Sequence, residues 1–303
     1  MPVYAVIDCG TNSIKFNISE RRADGTWRTI VDRGEVTRLG EGIRETGAIA
    51  PAAVERTVEA IAGMAAEAAR HGASQLIAVG TMGMRTASNS DDFIARVRER
   101  CGVAVEVISG PEEGRLAYLA VKTGLGLAAG RLAIFDTGGG STQFTFGHGD
   151  AVDEQFSVNV GAVRLTEQHG LGGVLTASQL EMALTAIAGE FTCLDGRPRP
   201  ESLVGMGGAI TNMTAVMHGL ATYDPAVVQG SELSRGEVER QIELYRTRDV
   251  EARRRIVGLQ PKRADVILAG ACVVRTVMVK LDRDALSVSD RGLRHGLLAD
   301  RFS

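Results

Sequence analysis

Ile7-Asp8-Cys9-Gly10-Thr11-Asn12-Ser13 and, further along, Phe135-Asp136-Thr137-Gly138-Gly139-Gly140-Ser141 decide how this chain is read. The first stretch ends an apolar run that starts at Val3, and the second ends the run Arg131 to Phe135. After each comes an alternating segment: Ile14, Phe16 and Ile18 against Lys15, Asn17 and Ser19, then Thr142, Phe144 and Phe146 against Gln143, Thr145 and Gly147. An apolar run, a glycine turn and a period-two segment read as strand, tight turn, strand. The two Asp residues stand 136 − 8 = 128 positions apart, and one motif recurring in one context points to an internal duplication.

Outward from the first stretch, Asp24-Gly25 suits a hairpin turn and Thr26 to Arg38 a third strand. Pro51 to His71 has helical spacing ended by Gly72. Gln75 to Val79 is a short buried strand, Ser90-Asp91-Asp92 opens a helix to about Cys101, Val103 to Ile108 is a strand, and Gly110-Pro111-Glu112-Glu113 opens another helix. This half reads βββαβαβα. Around the second stretch, Gly149-Asp150 suits a turn and Asp153 to Val158 a third strand. Helices follow near 161–169 and 176–191, then the strand Ser202 to Met206, the turn Gly207-Gly208 and a helix from about Ala209. Further helices are predicted over 234–246 and 261–281, a strand near 285–288 and a last helix from about Asp290. The expected fold class is α/β: two duplicated βββαβαβα domains, 1–124 and 125–289, with the 290–303 helix returning to the first. Such a pair facing each other across a cleft resembles the actin-like, ribonuclease H-like (ASKHA) superfamily.

Composition narrows the function. Among 303 residues, 44% are hydrophobic but only 4% aromatic, so Ala, Val, Leu and Ile must fill two cores. A net charge of −3 argues against a broad nucleic-acid surface, so a polyanion would have to meet a local basic site. Cys9, Cys101, Cys193 and Cys272 form no CxxC pair, and neither they nor the five histidines have metal-site spacing. No basic stretch leads into an apolar one at the N-terminus, and no apolar run reaches the roughly 20 residues of a membrane span. A soluble, cytoplasmic protein with no membrane partner is expected. Walker A and GxSxG motifs are absent.

The chemistry lies in the turns. Glycines let backbone N–H groups approach an anion, and a Ser or Thr hydroxyl adds a donor. Gly10, Thr11, Asn12 and Ser13 therefore form one candidate phosphate loop, and Gly138, Gly139, Gly140 and Ser141 a second. Asp8 and Asp136, at the strand ends, are candidates to hold a metal ion or position water. Hairpins that are merely rich in turn residues are the alternative. Arg85, after Gly80-Thr81-Met82-Gly83-Met84, is placed to reach a phosphate with its planar fork, or to make a surface ion pair. Glu112 at a helix start is read as dipole and capping chemistry. Glu113 is a candidate general base, able to deprotonate an attacking water. Gly207 and Gly208 open a helix, which suits either an anion or tight strand–helix packing.

In order along the chain, Ile7 to Ser13, Arg38-Leu39-Gly40-Glu41-Gly42, Gly80 to Arg85, Ser109 to Glu113, Asp136 to Thr142 and Ser289-Asp290-Arg291-Gly292-Leu293-Arg294 resemble the motifs of the exopolyphosphatase/guanosine pentaphosphate phosphatase (Ppx/GppA) family, nearly end to end. The resemblance implies two actin-like domains and Mg²⁺-dependent release of terminal orthophosphate from inorganic polyphosphate, or of the 5′ γ-phosphate from guanosine pentaphosphate (pppGpp). It implies Glu113 as general base, Arg85 and both loops on phosphate, and Asp136 with Asp8 on Mg²⁺. The chain resembles the family's short, two-domain members, and the resemblance admits a homodimer. Two residues depart from it. Gln143 follows Ser-Thr of the second loop where Glu is usual, and an amide cannot hold Mg²⁺ as a carboxylate does. His295 also stands where Glu is usual. Two other classes share the architecture: a sugar or acetate kinase, against which Ser109 to Glu113 argues, and a non-catalytic polyphosphate or alarmone sensor, for which Gln143 is the one reason.

Overall fold

The alternation on either side of the first glycine turn becomes a hairpin of β1 (Val3–Cys9) and β2 (Ser13–Arg21), with Ile14, Phe16 and Ile18 buried on one face. The structure, a computed structural model, describes residues 1–11, 13–127 and 130–302. After β3 (Trp27–Val36) come α1 (Ile43–Thr46), α2 (Pro51–Arg70), β4 (Gln75–Gly80), α3 (Met82–Thr86), α4 (Ser90–Cys101), β5 (Val105–Val107) and α5 (Gly110–Leu125). The five strands form one sheet in the order β3-β2-β1-β4-β5, in which β1, β4 and β5 run parallel and β2 and β3 antiparallel to their neighbours.

The second stretch opens the same pattern. β6 (Arg131–Thr137), β7 (Thr142–His148) and β8 (Ala151–Val158) lead through α6 (Ala162–His169) and α7 (Ala177–Glu190) to β9 (Ser202–Met206). Next come α8 (Gly208–His218), α9 (Pro225–Val228), β10 (Glu232–Ser234), α10 (Arg235–Arg246), α11 (Val250–Arg253), α12 (Ile267–Lys280), β11 (Ala285–Val288) and α13 (Leu293–Arg301). This sheet has the order β10-β11-β9-β6-β7-β8. Read from β8, its first five strands repeat the first sheet's order, and β10 adds an antiparallel edge. Even the irregularities match, with the register shifting at Ile18/Ser19 in one sheet and at Phe146/Gly147 in the other, again 146 − 18 = 128 positions apart.

Two compact units result. One is Met1–Ala120 with the segment from Gly292, and the other is Val121–Arg291, so the divide falls inside α5. In the first unit, α2 and α4 cover the Phe16 face of the sheet. Leu116 of α5 and Leu293, Leu297 and Leu298 of α13 cover the face that carries Val6 and Val79, and Tyr4 stacks on Phe302 at 4.2 Å. In the second, α12 is buried almost all round, as its apolar sequence requires.

Some boundaries differ from expectation for local reasons. The helix expected from 261 begins at Ile267, because the carbonyl of Ala264 is taken by the Arg253 guanidinium at 3.4 Å and residues 261–263 form a 3-10 turn. The helix expected from Asp290 begins at Leu293, because the Ser289 hydroxyl accepts the Arg291 N–H at 3.2 Å. The short helix α3 was unforeseen. It is too brief to show a period, and it holds by returning the Met84 and Arg85 N–H groups to the Thr81 carbonyl while burying Met84.

Candidate functional site

In the first unit, Asp8 stands at the end of β1 opposite Lys15 of β2. Burial pushes its carboxyl above the ordinary value, and Glu113 adds to this, while Lys15 and Arg294 pull the other way. The turn after it is closed by the Gly10 N–H, which donates to the Ser13 carbonyl at 3.2 Å. Thr11 packs between Gly40 and Gly83, which explains why glycines recur in those two motifs. Asn12 lies outside the described residues.

The adjacent carboxylates at the start of α5 have separate fates. Glu112 is held by Arg115 at 2.8 and 2.9 Å, and Arg115 in turn reaches Asp300 at 2.8 Å, so Glu112 is lowered chiefly by the Arg115 hydrogen bonds. Glu113 instead meets Arg85, whose two terminal nitrogens both donate to Oε2 at 3.0 Å. Arg85 is steadied by the Ile108 carbonyl at 2.7 Å. The Glu113 side chain keeps 34% of its surface exposed, and its Oε1 has no protein partner among the described residues. His295 and Arg294 meet elsewhere in this unit, on Asp32. Burial opposes that carboxylate's charge, but hydrogen bonds from both residues and their positive charges outweigh it and hold Asp32 at about 2.

In the second unit the matching turn is closed by the Gly138 N–H on the Ser141 carbonyl at 2.9 Å. The carbonyl of Gly138 accepts from Ala162, and that of Gly139 from Val163 and Arg164, at the start of α6. A trans peptide points its N–H opposite its carbonyl. The Gly139 and Gly140 N–H groups therefore face away from α6, and with that of Ser141 they have no acceptor among the described residues. Three adjacent free N–H groups make a concavity for an anion. The geometry requires Gly161, where a Cβ would fall 2.5 Å from the Gly139 carbonyl.

Beside this turn, β9 runs parallel to β6 with Met206 opposite Asp136, which brings Gly207 and Gly208 next to it. Gly207 has φ 93°, and a Cβ there would lie 2.4 Å from Oδ1 of Asp136. Gly208 starts α8, which has no side-chain cap, so its first N–H groups and dipole are open to an anion. The Arg263 guanidinium lies over Gly208, 2.3 Å from where a Cβ would be, and no carboxylate or carbonyl among the described residues takes its N–H groups. The segment behind it is anchored by Arg253, fully buried, which donates to the carbonyls of Tyr245, Leu171, Gly172, Ala264 and Gly173. Burial lowers its pKa.

Among the described residues, no three His, Cys, Asp or Glu gather into a metal cage, and no helix is long and apolar enough to cross a membrane. Mg²⁺ takes one or two carboxylates, keeps waters and shares substrate oxygens, so the exposed Asp136 at its glycine turn fits such an ion as a hard oxygen donor. Gln143 is exposed and pairs directly with Asp136 across β6 and β7.

Reading the sequence missed three residues. Lys15 is the repeat counterpart of Gln143, since 143 − 15 = 128, and the same offset would have found it. Gly161 carries no motif. Arg263 reaches its place only through tertiary packing.

Comparison with known proteins identifies the family and the fold. The model of the Ppx/GppA phosphatase family matches residues 18–303. Exopolyphosphatase 2 of Mycobacterium tuberculosis is 31% identical over 97% of this chain and 96% of its own. The guanosine-5′-triphosphate,3′-diphosphate pyrophosphatase of Photobacterium profundum is 28% identical over 100% of this chain and 60% of its own. The crystal structure of the Aquifex aeolicus Ppx/GppA phosphatase superposes with a TM-score of 0.91 at 32% identity, over 100% of both chains.

Proposed function

The chain belongs to the Ppx/GppA phosphatase family, and on that premise we propose that it is an exopolyphosphatase, releasing terminal orthophosphate from inorganic polyphosphate. One observation carries the reading: the adjacent N–H groups of Gly139, Gly140 and Ser141, left without protein acceptors beside Asp136. Water attacks the terminal phosphorus, the new P–O bond forms, and the bridging P–O bond breaks toward the shortened chain. Glu113 takes the water's proton through Oε1, the oxygen that Arg85 leaves open. Arg85 orients Glu113 and offers its remaining N–H groups to a phosphate oxygen. The turns Gly10 to Ser13 and Gly138 to Ser141, the pair Gly207 and Gly208, and Arg263 receive phosphate oxygens. Asp136, and in the first unit Asp8, are the carboxylates that would hold a divalent cation such as Mg²⁺, which offsets charge on the phosphoryl oxygens when bound.

A second reading, hydrolysis of the 5′-terminal phosphate of guanosine pentaphosphate, is favoured by relatives of the pyrophosphatase name that match this chain along its whole length. The test is orthophosphate release from polyphosphate and from guanosine pentaphosphate, across Mg²⁺ and Mn²⁺. Polyphosphate turnover supports the first reading, and a strong preference for the alarmone replaces it with the second. Tight binding without turnover would make the protein a sensor, and phosphate transfer from ATP to a small acceptor would make it a kinase.

A further inference from the structure

We propose that Asn212 is a positioning residue that sets substrate affinity by holding Arg263 over the glycine turn. The inference rests on the phosphate-binding reading above. Residues 208, 212 and 215 share one face of α8 by their i, i+4, i+7 spacing. The segment 258–263 runs antiparallel along that face and touches it at each point. Gly258, with φ 90°, lies so close to Ala215 that a Cβ would be 2.4 Å from the Ala215 carbonyl oxygen. Asn212 Oδ1 accepts the Gln260 N–H at 2.8 Å, while its Nδ2 donates to the Gly208 carbonyl at 2.8 Å. Arg263 ends the path on Gly208 itself.

Asn212 is 1% exposed, and its single carboxamide therefore ties the turn that opens α8 to the strand of chain carrying the cation. No other side chain bonds both segments among the described residues. Without the amide, the Gln260 N–H loses its buried acceptor and the 260–263 path loses its register on α8. Arg263 then spends less time over the turn. An acid in place of the amide cannot substitute, because a carboxylate supplies no donor for the Gly208 carbonyl.

The experiment is a double-mutant cycle on tripolyphosphate, reading both KM with kcat and equilibrium binding. Asn212→Leu removes the amide. Gln260→Pro removes the N–H that Asn212 accepts, exchanging an exposed glutamine side chain for a ring at a residue whose φ of −63° already suits proline. Each should raise KM and Kd about threefold to tenfold, the equivalent of one net hydrogen bond, with kcat within about twofold. In an Arg263→Ala background both should add nothing. Equal effects with and without Arg263, a loss confined to kcat, or unchanged affinity in both variants would overturn the inference. If Asn212→Leu does not fold, Gln260→Pro decides alone. A wild type that binds tripolyphosphate without releasing orthophosphate overturns the hydrolase reading but still allows the cycle on Kd. A wild type that does not bind it overturns both.

Discussion

Gly161→Ala tests whether the second turn is held in shape by α6. At φ −147° and ψ 167° the backbone accepts alanine without strain, so the variant reports the added methyl alone. That methyl would lie 2.5 Å from the carbonyl carbon and oxygen of Gly139 and 2.6 Å from the Gly140 nitrogen. Reaching an ordinary contact of 3.4 Å takes 3.4 − 2.5 = 0.9 Å of movement, and every atom in the way is backbone. The displacement falls on the peptides whose N–H groups face outward. A misplacement near 1 Å costs about 10²-fold in rate. Overpacking of this kind costs about 1–3 kcal/mol of stability, at roughly 2–4 °C of melting temperature per kcal/mol in a domain this size. Initial rates of orthophosphate release, with a thermal melt of the same preparation, measure both. Gly189→Ala is the control: it sits exposed in α7 with open space around its Cβ position, and should be neutral or stabilising by up to about 1 kcal/mol. Wild-type kcat/KM in Gly161→Ala would refute the argument that the carbonyl bonds to α6 set the turn.

Three other outcomes are expected. Glu113→Gln should bind tripolyphosphate as the wild type does but lose roughly 10²–10⁴-fold in rate, and unchanged turnover would remove Glu113 from the chemistry. Gln143→Glu places a carboxylate opposite Asp136 and should lower the Mg²⁺ concentration needed for half-maximal activity, and an identical metal titration would place residue 143 away from the ion. Two perturbed carboxyls of the first unit, Asp8 and Asp32, should move acid stability in opposite directions. Asp8, raised by burial, stabilises fully only below the unfolded carboxylate range and loses this as pH rises through its folded value. Asp8→Asn should thus raise the melting temperature at neutral pH in metal-free buffer, and a lower one would contradict the burial argument. Asp32, held at about 2, stabilises above the unfolded value and loses this as pH falls toward its folded one, so Asp32→Asn should flatten the acid limb of the melting curve.

Both hairpins were legible because period-two burial is a local property: Phe16 and Phe144 each lie inward at the same place in the repeat. Glu113 could be singled out but not its state. Only the structure shows that Arg85 occupies one of its oxygens, while neighbouring Glu112 is fixed by Arg115. The Gly138 to Ser141 turn was legible as glycine-rich, yet the direction of its N–H groups depends on carbonyl bonds to residues 162–164, which no local pattern encodes. Arg263 was hidden for the same reason, in a stretch that reads as continuous helix until the Ala264 carbonyl is diverted to Arg253.

That diversion has a consequence for the medium in which the protein works. A polyphosphate chain travels with a dense atmosphere of counterions, and surface ion pairs weaken as ionic strength rises. The Arg253 anchor contains no carboxylate. Its partners are five peptide dipoles that no acid can protonate and that dissolved ions cannot reach in a buried site. The loop behind Arg263 is thereby held by bonds that neither added salt nor mild acid should loosen, whatever anion the Arg263 guanidinium meets.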